Sequence, residues 1–335
     1  MRLLVTGGCG FIGSNFIRFV LRAHAEDRVT NLDKLTYAGN PENVRDLERD
    51  PRYAFIRGDI CDAAVVDRAA KDADVIINFA AETHVDRSLF DPGAFIKTDV
   101  DGTRVLLEAA RRYGHQRYIQ VSTDEVYGST AGAPFVETDL LHPSSPYAAS
   151  KAGGDLMALA YATTYGVPVI ITRASNNFGP YQYPEKLIPL FITNAIDDQP
   201  LPLYGDGLNV RDWLAVEDHC EAVDVVLRKG TVGEIYNVGG GNERNNLEIT
   251  EMILRGVNKP KSLIKPVADR PGHDRRYALN ADKLAALGFR PRRRFDDALR
   301  ATIDWYRTHD SWWRPIKSGE FRAYYEKQYR SGLSS

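Results

Sequence analysis

Three glycines, Gly7, Gly10 and Gly13, stand between a short apolar run, Leu3–Thr6, and a segment in which Ile12, Phe16, Ile17, Val20 and Leu21 recur at helical spacing. A strand that passes into a helix within so few residues needs a tight bend and close backbone approach, and glycine supplies both. The N-terminus of the helix then offers unpaired N–H groups to an anion such as a pyrophosphate. Asp33 ends the next strand candidate, Val29–Asp33, where a carboxylate can hold ribose hydroxyls and repel a 2′-phosphate. The pattern predicts a dinucleotide site and favours NAD over NADP.

The same rhythm continues down the chain. Strand candidates at 54–59, 75–79, 118–122 and 167–173 are separated by helical patterns, one of which carries Val105, Leu106 and Ala109. Nearly continuous apolar strands alternating with helices predict a parallel sheet covered on both faces. This is the doubly wound, Rossmann-type α/β class, here with a smaller mixed α/β lobe. After about residue 175 the rhythm breaks at Gly179-Pro180 and Pro200–Gly207, and helical patterns return at 185–198, 217–229, 246–257 and 295–308. The expected division is a cofactor domain over 1–175 and a mainly substrate-binding lobe over 176–335, with a return of the chain to the sheet allowed around 210–240. A length of 335 residues suits one large core with an added lobe.

The 43 Lys and Arg nearly balance 45 Asp and Glu, a net charge of −2, which argues against nucleic acid or an anionic membrane as the main partner. No apolar stretch approaches the ~20 residues that span a bilayer. Cys9, Cys61 and Cys220 form neither a disulfide framework nor a metal-ligand spacing, so a cytoplasmic location without a metal is expected. Arg290-Pro291-Arg292-Arg293-Arg294 reads as a solvated turn.

Chemistry is suggested at two places. Ser145 and Pro146 make a good helix start, a serine cap followed by proline at the first helical position. Tyr147 and Lys151, four residues apart, then share a helix face. A nearby cation lowers a phenol from its free pKa of ~10, and the phenolate can take an alcohol proton while hydride leaves for nicotinamide. The fifth strand candidate runs out in Ser122-Thr123-Asp124-Glu125-Val126-Tyr127-Gly128. Strand neighbours point to opposite faces, so Asp124 and Glu125 reach one substrate only if the strand ends there. They fit an acid and a base flanking a sugar carbon chain, as an elimination requires; the alternative is a strand-end carboxylate and a loop cap. Asp59 lies at the same edge as Asp33 and suits either an adenine amine or a helix N-cap for 61–71. Asn78-Phe79-Ala80-Ala81 closes the fourth strand with small residues that allow a cofactor to pass closely.

The stretches Thr6–Gly13, Leu32–Asn40, Ala80–Ser88, Ser122–Gly128, Ser145–Lys151, Asn176–Pro189, Leu203–Asp218 and Asp269–Tyr277 carry a resemblance. Over Met1 to about residue 315 the chain resembles the extended short-chain dehydrogenase/reductase family, and more narrowly its branch that dehydrates dTDP-glucose at C4–C6. The resemblance implies a redox-neutral lyase of deoxysugar biosynthesis, in which hydride leaves C4 for NAD and returns to C6. Thr123 would hold the reacting alcohol, Tyr147 act as base and Lys151 as its electrostatic support. Glu125 would remove the C5 proton and Asp124 protonate the leaving C6 hydroxyl. Besides Gly7, Gly10, Gly13, Tyr147 and Lys151, the resemblance places Phe11, Ile12, Asp33, Lys34, Leu35, Thr36, Asp59, Ile60, Ala80, Ala81, Thr98 and Asn177 against NAD. It places Thr83, Asn176, Lys186, Leu187, Pro202, Tyr204, Arg211, Asn246, Arg270 and His273 in the nucleotide-sugar site, where Arg211, Arg270 and a protonatable His273 can neutralise a diphosphate. It further implies a homodimer paired through helices 91–113 and 145–165, and a structural role for His84. Two departures stand out: Cys9 where alanine is usual, and Thr98-Asp99 where Thr-Asn is usual, the second implying an altered hydrogen bond near the cofactor. A 4-epimerase or decarboxylase of the same family would need no paired acid and base, and a non-catalytic NAD-binding module would lack the Tyr or the Lys.

Overall fold

The computed structural model describes residues 1–333. Its strands are β1 (Arg2–Thr6), β2 (Arg28–Asp33), β3 (Tyr53–Arg57), β4 (Val75–Asn78), β5 (Arg117–Thr123), β6 (Val169–Ala174), β7 (Asn176–Phe178), β8 (Leu201–Tyr204), β9 (Val210–Ala215), β10 (Ile235–Val238), β11 (Glu243–Asn245) and β12 (Ile264–Val267). Seven of them form one parallel sheet in the order β10-β6-β5-β4-β1-β2-β3. The order reverses beside β1, which pairs with β2 on one side and β4 on the other. A crevice opens at such a switch point, outside the carboxyl ends of the strands. The seventh strand, β10, is not among the six strand candidates and forms an edge after the chain has left for the second lobe.

Alternation along the strands sets the two layers. Leu3, Val5, Val75 and Ile77 face α1 (Phe11–Ala23) and its neighbour, the helix Val216–Lys229, through Phe16, Ile17, Val20, Val223 and Val226. Leu4, Leu32 and Ile76 face the helices Ala63–Ala70 (α2), Thr103–Tyr113 (α3) and Pro146–Tyr165 (α4) through Val66, Val105, Leu106 and Ala158. The second lobe has its own core, in which Phe191, Ile253, Leu299 and Ile303 pack on Trp213 and Leu201. That lobe carries the three-stranded sheet β11-β9-β7 and the parallel pair β12-β8. Among the described residues no helix is long and apolar enough to cross a membrane.

Three local features differ from the expected ones. β3 ends at Arg57, two residues before Asp59, because Asp59 folds back to accept the Cys61 amide at 2.9 Å. The helix that follows is capped by Asp62, whose carboxylate accepts the amides of Ala64 and Val65, so Asp59 is not that cap. The helical stretch entered at Pro92 widens into a π-helical turn over Ile96–Gly102 before α3.

Candidate active site

The glycines make the first cleft possible. Gly7 has φ +70°, and a Cβ there would lie 2.7 Å from the Ala80 nitrogen; at Gly13 it would lie 2.3 Å from the Gly7 carbonyl oxygen. No side chain caps α1, so its leading N–H groups are left for an anion. At the end of β2, Asp33 accepts the Cys9 amide at 2.9 Å and the Leu35 amide at 2.8 Å. Burial raises its carboxyl above the ordinary value, and those two amides oppose the shift. These residues fit a dinucleotide: a glycine cradle for the pyrophosphate and a carboxylate at the ribose end.

Most of the residues expected at the cofactor line this cleft: Gly7, Gly10, Phe11, Ile12, Gly13, Asp33, Lys34, Thr36, Asp59, Ile60, Ala80, Ala81, Thr98, Tyr147 and Lys151. Leu35 does not; it adopts φ +58° and serves through its backbone amide. Asn177 also falls outside, its side chain spent on the Ser175 carbonyl at 2.9 Å and His219 at 3.0 Å. Thr83, expected in the sugar site, lines the cofactor cleft instead. Asp59 pairs with Lys34 at 2.7 Å, which holds its carboxyl below the ordinary value against the opposing effect of burial.

The second cleft is lined by Asn176, Lys186, Leu187, Pro202, Tyr204, Arg211, Asn246, Arg270 and His273, all expected there, together with Glu125. Glu185 and Lys186 line both clefts and join them. Asp86 is central: its carboxylate accepts the Tyr204 hydroxyl at 2.9 Å and lies 3.4 Å from Arg270 Nε. Several buried polar atoms here have no hydrogen-bond partner among the described residues: Arg270 Nη1, Asn176 Oδ1 and Asn246 Oδ1, with Asp124 Oδ2 beside the adjoining Glu125. Such atoms are costly to bury unpaired, and a polar ligand would satisfy them. His273 departs from expectation, because burial and the neighbouring Arg270 lower it to about 4, with Asp269 opposing. It is therefore neutral near pH 7, and Lys186, Arg211 and Arg270 are the cationic side chains lining this cleft. His84 is buried, within 3.2 Å of the Glu185 carbonyl oxygen.

Between the clefts lies the reacting centre. The Ser145 hydroxyl caps α4 by accepting the Ala148 amide at 3.1 Å, with Pro146 in the first turn. Tyr147 is held edge-on by Phe95, ring centroids 6.2 Å apart at 84°. Burial pushes its phenol well above the ordinary value, the charges of Glu125, Asp99 and Asp124 add to this, and a hydrogen bond with Thr123 opposes it. The direction is thus opposite to the lowering expected from Lys151, and burial with three carboxyls sets it. At the end of β5 the strand gives way to a 3₁₀ turn over Asp124–Tyr127, which frees the two carboxyls from strict alternation. Asp124 is buried, with Oδ1 3.2 Å from the Thr123 hydroxyl, and burial holds it well above the carboxylate range, helped by Glu125 and opposed by Arg211. Glu125 is also raised by burial, but Arg270, Lys186 and Arg211 all favour its charged form. Neighbouring carboxyls pushed apart in this way suit an acid and a base.

Spacing alone leaves out Glu82, Ser122, Gln182, Glu185, Asp86 and Tyr277, all of which line one cleft or the other. Each lies inside a stretch that carries the family resemblance, which is the signal that points to them. Tyr329 also lines the second cleft but comes from the C-terminal helix, where nothing in the sequence marks it.

The GDP-mannose 4,6-dehydratase family model matches residues 4–302. A dTDP-glucose 4,6-dehydratase of Streptomyces antibioticus is 52% identical over 323 residues, covering 95% of this chain and 96% of that one. The crystal structure of DesIV, the dTDP-glucose 4,6-dehydratase of Streptomyces venezuelae, with NAD and dTDP bound, matches with a TM-score of 0.93 at 51% identity, over 95% of this chain and 100% of that chain. A UDP-glucose 4-epimerase of Thermus thermophilus, in complex with NAD, matches with a TM-score of 0.85 at 34% identity, over 92% of this chain and 99% of that chain. Backbone shape is therefore shared with epimerases, and the reaction has to be read from the side chains.

Proposed function

The chain belongs to the GDP-mannose 4,6-dehydratase family, and on that premise we propose that it is an NAD-dependent lyase converting dTDP-glucose to dTDP-4-keto-6-deoxyglucose and water, a step of deoxysugar biosynthesis. The observation that carries this reading is the pair Asp124–Glu125, whose surroundings separate their proton affinities beside Tyr147 and Lys151. An epimerase needs no such pair.

Bound NAD supplies an acceptor for the C4 hydride and the donor that returns it to C6. Thr123 hydrogen-bonds Tyr147 and orients the C4 hydroxyl, whose proton Tyr147 Oη takes up. Lys151 stands on the same helix face as electrostatic support for the phenolate. The resulting C4 ketone acidifies the C5 proton, which Glu125, raised by burial with Arg270, Lys186 and Arg211 opposing, removes. Asp124, whose carboxyl burial raises well above the ordinary value, donates to the departing C6 hydroxyl. Lys186, Arg211 and Arg270 neutralise the diphosphate.

The proposed division of labour follows the expected boundary. Residues 1–175 hold the cofactor and the reacting hydroxyl, and the chain from 176 mainly holds the nucleotide sugar, with Glu185 and Lys186 at the junction. A homodimer is inferred through the helical stretch 92–113 and α4, where Ile96, Leu156 and Tyr165 are 52%, 58% and 47% exposed. Light scattering at micromolar concentration that returned only the 37.5 kDa monomer would remove the dimer. The three cysteines are all free, in keeping with a reducing cytoplasm. The reaction itself is tested by incubating the protein with dTDP-glucose: formation of the 4-keto-6-deoxy sugar supports the reading, and a C4 epimer or unchanged substrate overturns it.

A further inference from the structure

Behind the Tyr147–Lys151 turn lies a carboxyl for which the mechanism above has no use. Asp99 sits in the π-helical turn and is 2% exposed. Gly153 and Gly154 let α4 approach that turn closely; a Cβ at 154 would lie 2.7 Å from the Asp99 carbonyl oxygen. Asp99 Oδ1 accepts the Glu82 amide at 3.1 Å, and Oδ2 lies 2.6 Å from the hydroxyl of the fully buried Ser150. The same hydroxyl lies 2.8 Å from the Tyr147 carbonyl oxygen.

Ser150 has one proton and two acceptors in reach. With Asp99 protonated, both contacts are satisfied, because the carboxyl donates to Ser150 and Ser150 donates to the Tyr147 carbonyl. With Asp99 ionised, Ser150 turns its proton to the carboxylate and leaves the Tyr147 carbonyl to the helix backbone. The charge state of Asp99 is thereby wired to the turn that carries both catalytic side chains. π-Helical turns recur at functional sites, where they place a side chain that regular helix would not.

We propose that Asp99 is a positioning residue for the C4 oxidation, acting on Tyr147 through the Ser150 hydroxyl and through its own charge. The choice of substrate in testing this rests on the dehydratase reading above. The groups facing Asp99 are Lys151 and Tyr147 from α4 and Glu82 from the loop after β4. Glu82 is in turn faced by Lys34, Arg87 and Asp91, and Tyr147 by Glu125 and Asp124. Burial raises Asp99 to about 6, with Lys151, Ser150 and the Glu82 amide opposing. Ionised Asp99 makes Tyr147 hold its proton more tightly, and neutral Asp99 relieves this.

The test compares wild type with Asp99→Asn, which is neutral at every pH. The first-turnover rate of dTDP-glucose oxidation, read as absorbance of the reduced nicotinamide, is followed as a function of pH. Removing one nearby negative charge moves the midpoint for Tyr147 ionisation down by about one unit in the variant. Below pH 6, where Asp99 of the wild type is itself neutral, the two rates converge. Ser150→Ala takes a hydrogen-bond donor from the carboxylate, so Asp99 titrates at higher pH in it, and the upward shift of the pH at which its rate departs from wild type carries the test if Asp99→Asn does not fold. A second readout is independent of turnover: the infrared band of a protonated carboxyl titrates near pH 6 in the wild type and is missing in Asp99→Asn. A ratio of variant to wild-type rate that stays constant with pH, or no such band, overturns the proposal. Failure of the wild type to oxidise dTDP-glucose at all overturns the substrate reading instead, and the infrared titration then decides Asp99.

Discussion

Lys151 Nζ donates to the Val121 carbonyl oxygen at 2.8 Å, which anchors the ammonium of α4 on the strand that ends in Thr123. Phe95 is set edge-on to the Tyr147 ring, and the phenol is within hydrogen-bonding reach of Thr123. Tyr147→Phe preserves the ring contact and removes only the proton acceptor. Bound NAD should be retained, while formation of the 4-keto product falls ~10²–10⁴-fold, the usual contribution of a positioned acid or base. More than a tenth of wild-type turnover would refute the assignment of Tyr147.

How much of this is legible in the sequence depends on whether a site is local. The cofactor cleft is assembled from contiguous features, the turn Gly7–Gly13, the strand ends at Asp33 and Asn78–Ala81, and the capped start of α4 at Ser145, so spacing alone locates it. The second cleft gathers Asp86, Lys186, Tyr204, Arg211, Arg270 and Tyr329 from separate segments, and no local spacing connects them. Family resemblance names four of those six, reaches Asp86 only through the matching stretch around it, and says nothing of their charge state. That His273 is neutral follows from its burial with Arg270 beside it, and that Tyr147 is raised follows from burial and three carboxyls brought near by the tertiary fold. Asn177 and Leu35 are displaced for the same reason: their neighbours in space, His219 and Asp33, already engage them.

The glycine turn predicts a sharp contrast between two alanine substitutions. Gly7 and Gly114 both have positive φ, but only at Gly7 would a Cβ meet backbone, the Ala80 nitrogen at 2.7 Å; at Gly114 nothing lies within 4 Å. Gly114→Ala should cost ~1–2 kcal/mol of stability, the usual penalty of a left-handed L residue, and keep its NAD. Gly7→Ala must displace the strand end that borders the cofactor, so the purified variant should carry less than a tenth of the wild-type NAD content. Equal NAD content in the two variants would show that the cradle does not require Gly7.

A buried ion pair beneath the site makes a separate prediction. Arg173 Nε meets Asp155 at 2.9 Å with side-chain exposures of 2% and 0%, and Arg173 Nη1 also donates to the Tyr127 hydroxyl. Arg173→Met leaves Asp155 buried without its cation and should destabilise the fold by ~3–5 kcal/mol. Burial already raises the Asp155 carboxyl in the folded protein, with Arg173 opposing, so removing the cation raises it further; the loss is greatest at pH above that raised value and shrinks as pH falls through it. Arg173→Met with Asp155→Leu should recover most of the loss, since an apolar pair replaces the ion pair. Denaturant midpoints measured at two pH values check both points. A loss in the single variant that does not change with pH would show that no uncompensated charge is left at Asp155.

The two carboxyls at the end of β5 allow oxidation and elimination to be separated. Burial raises the Asp124 carboxyl well above the ordinary value and so favours its neutral form; Asp124→Asn has nearly the same shape as that form, and the fold should be unaffected. The substitution does remove the proton that the C6 hydroxyl needs as it leaves. Glu125→Gln removes the base for C5 and leaves Arg270, Lys186 and Arg211 to bind the diphosphate. Both changes leave Thr123, Tyr147 and Lys151 in place to hold and deprotonate the C4 hydroxyl, and an amide at 124 keeps an oxygen for the Thr123 hydroxyl, which lies 3.2 Å from Asp124 Oδ1. Overall turnover should therefore fall ~10²–10⁴-fold in each variant while C4 oxidation continues. Stoichiometric variant mixed with dTDP-glucose should accumulate enzyme-bound reduced nicotinamide, visible by its absorbance. Solvent deuterium should enter C5 with Asp124→Asn, whose base is intact, and fail to enter with Glu125→Gln. If both variants turn over at near wild-type rates, or if deuterium enters C5 equally in both, the assignment of Glu125 as base and Asp124 as acid is wrong.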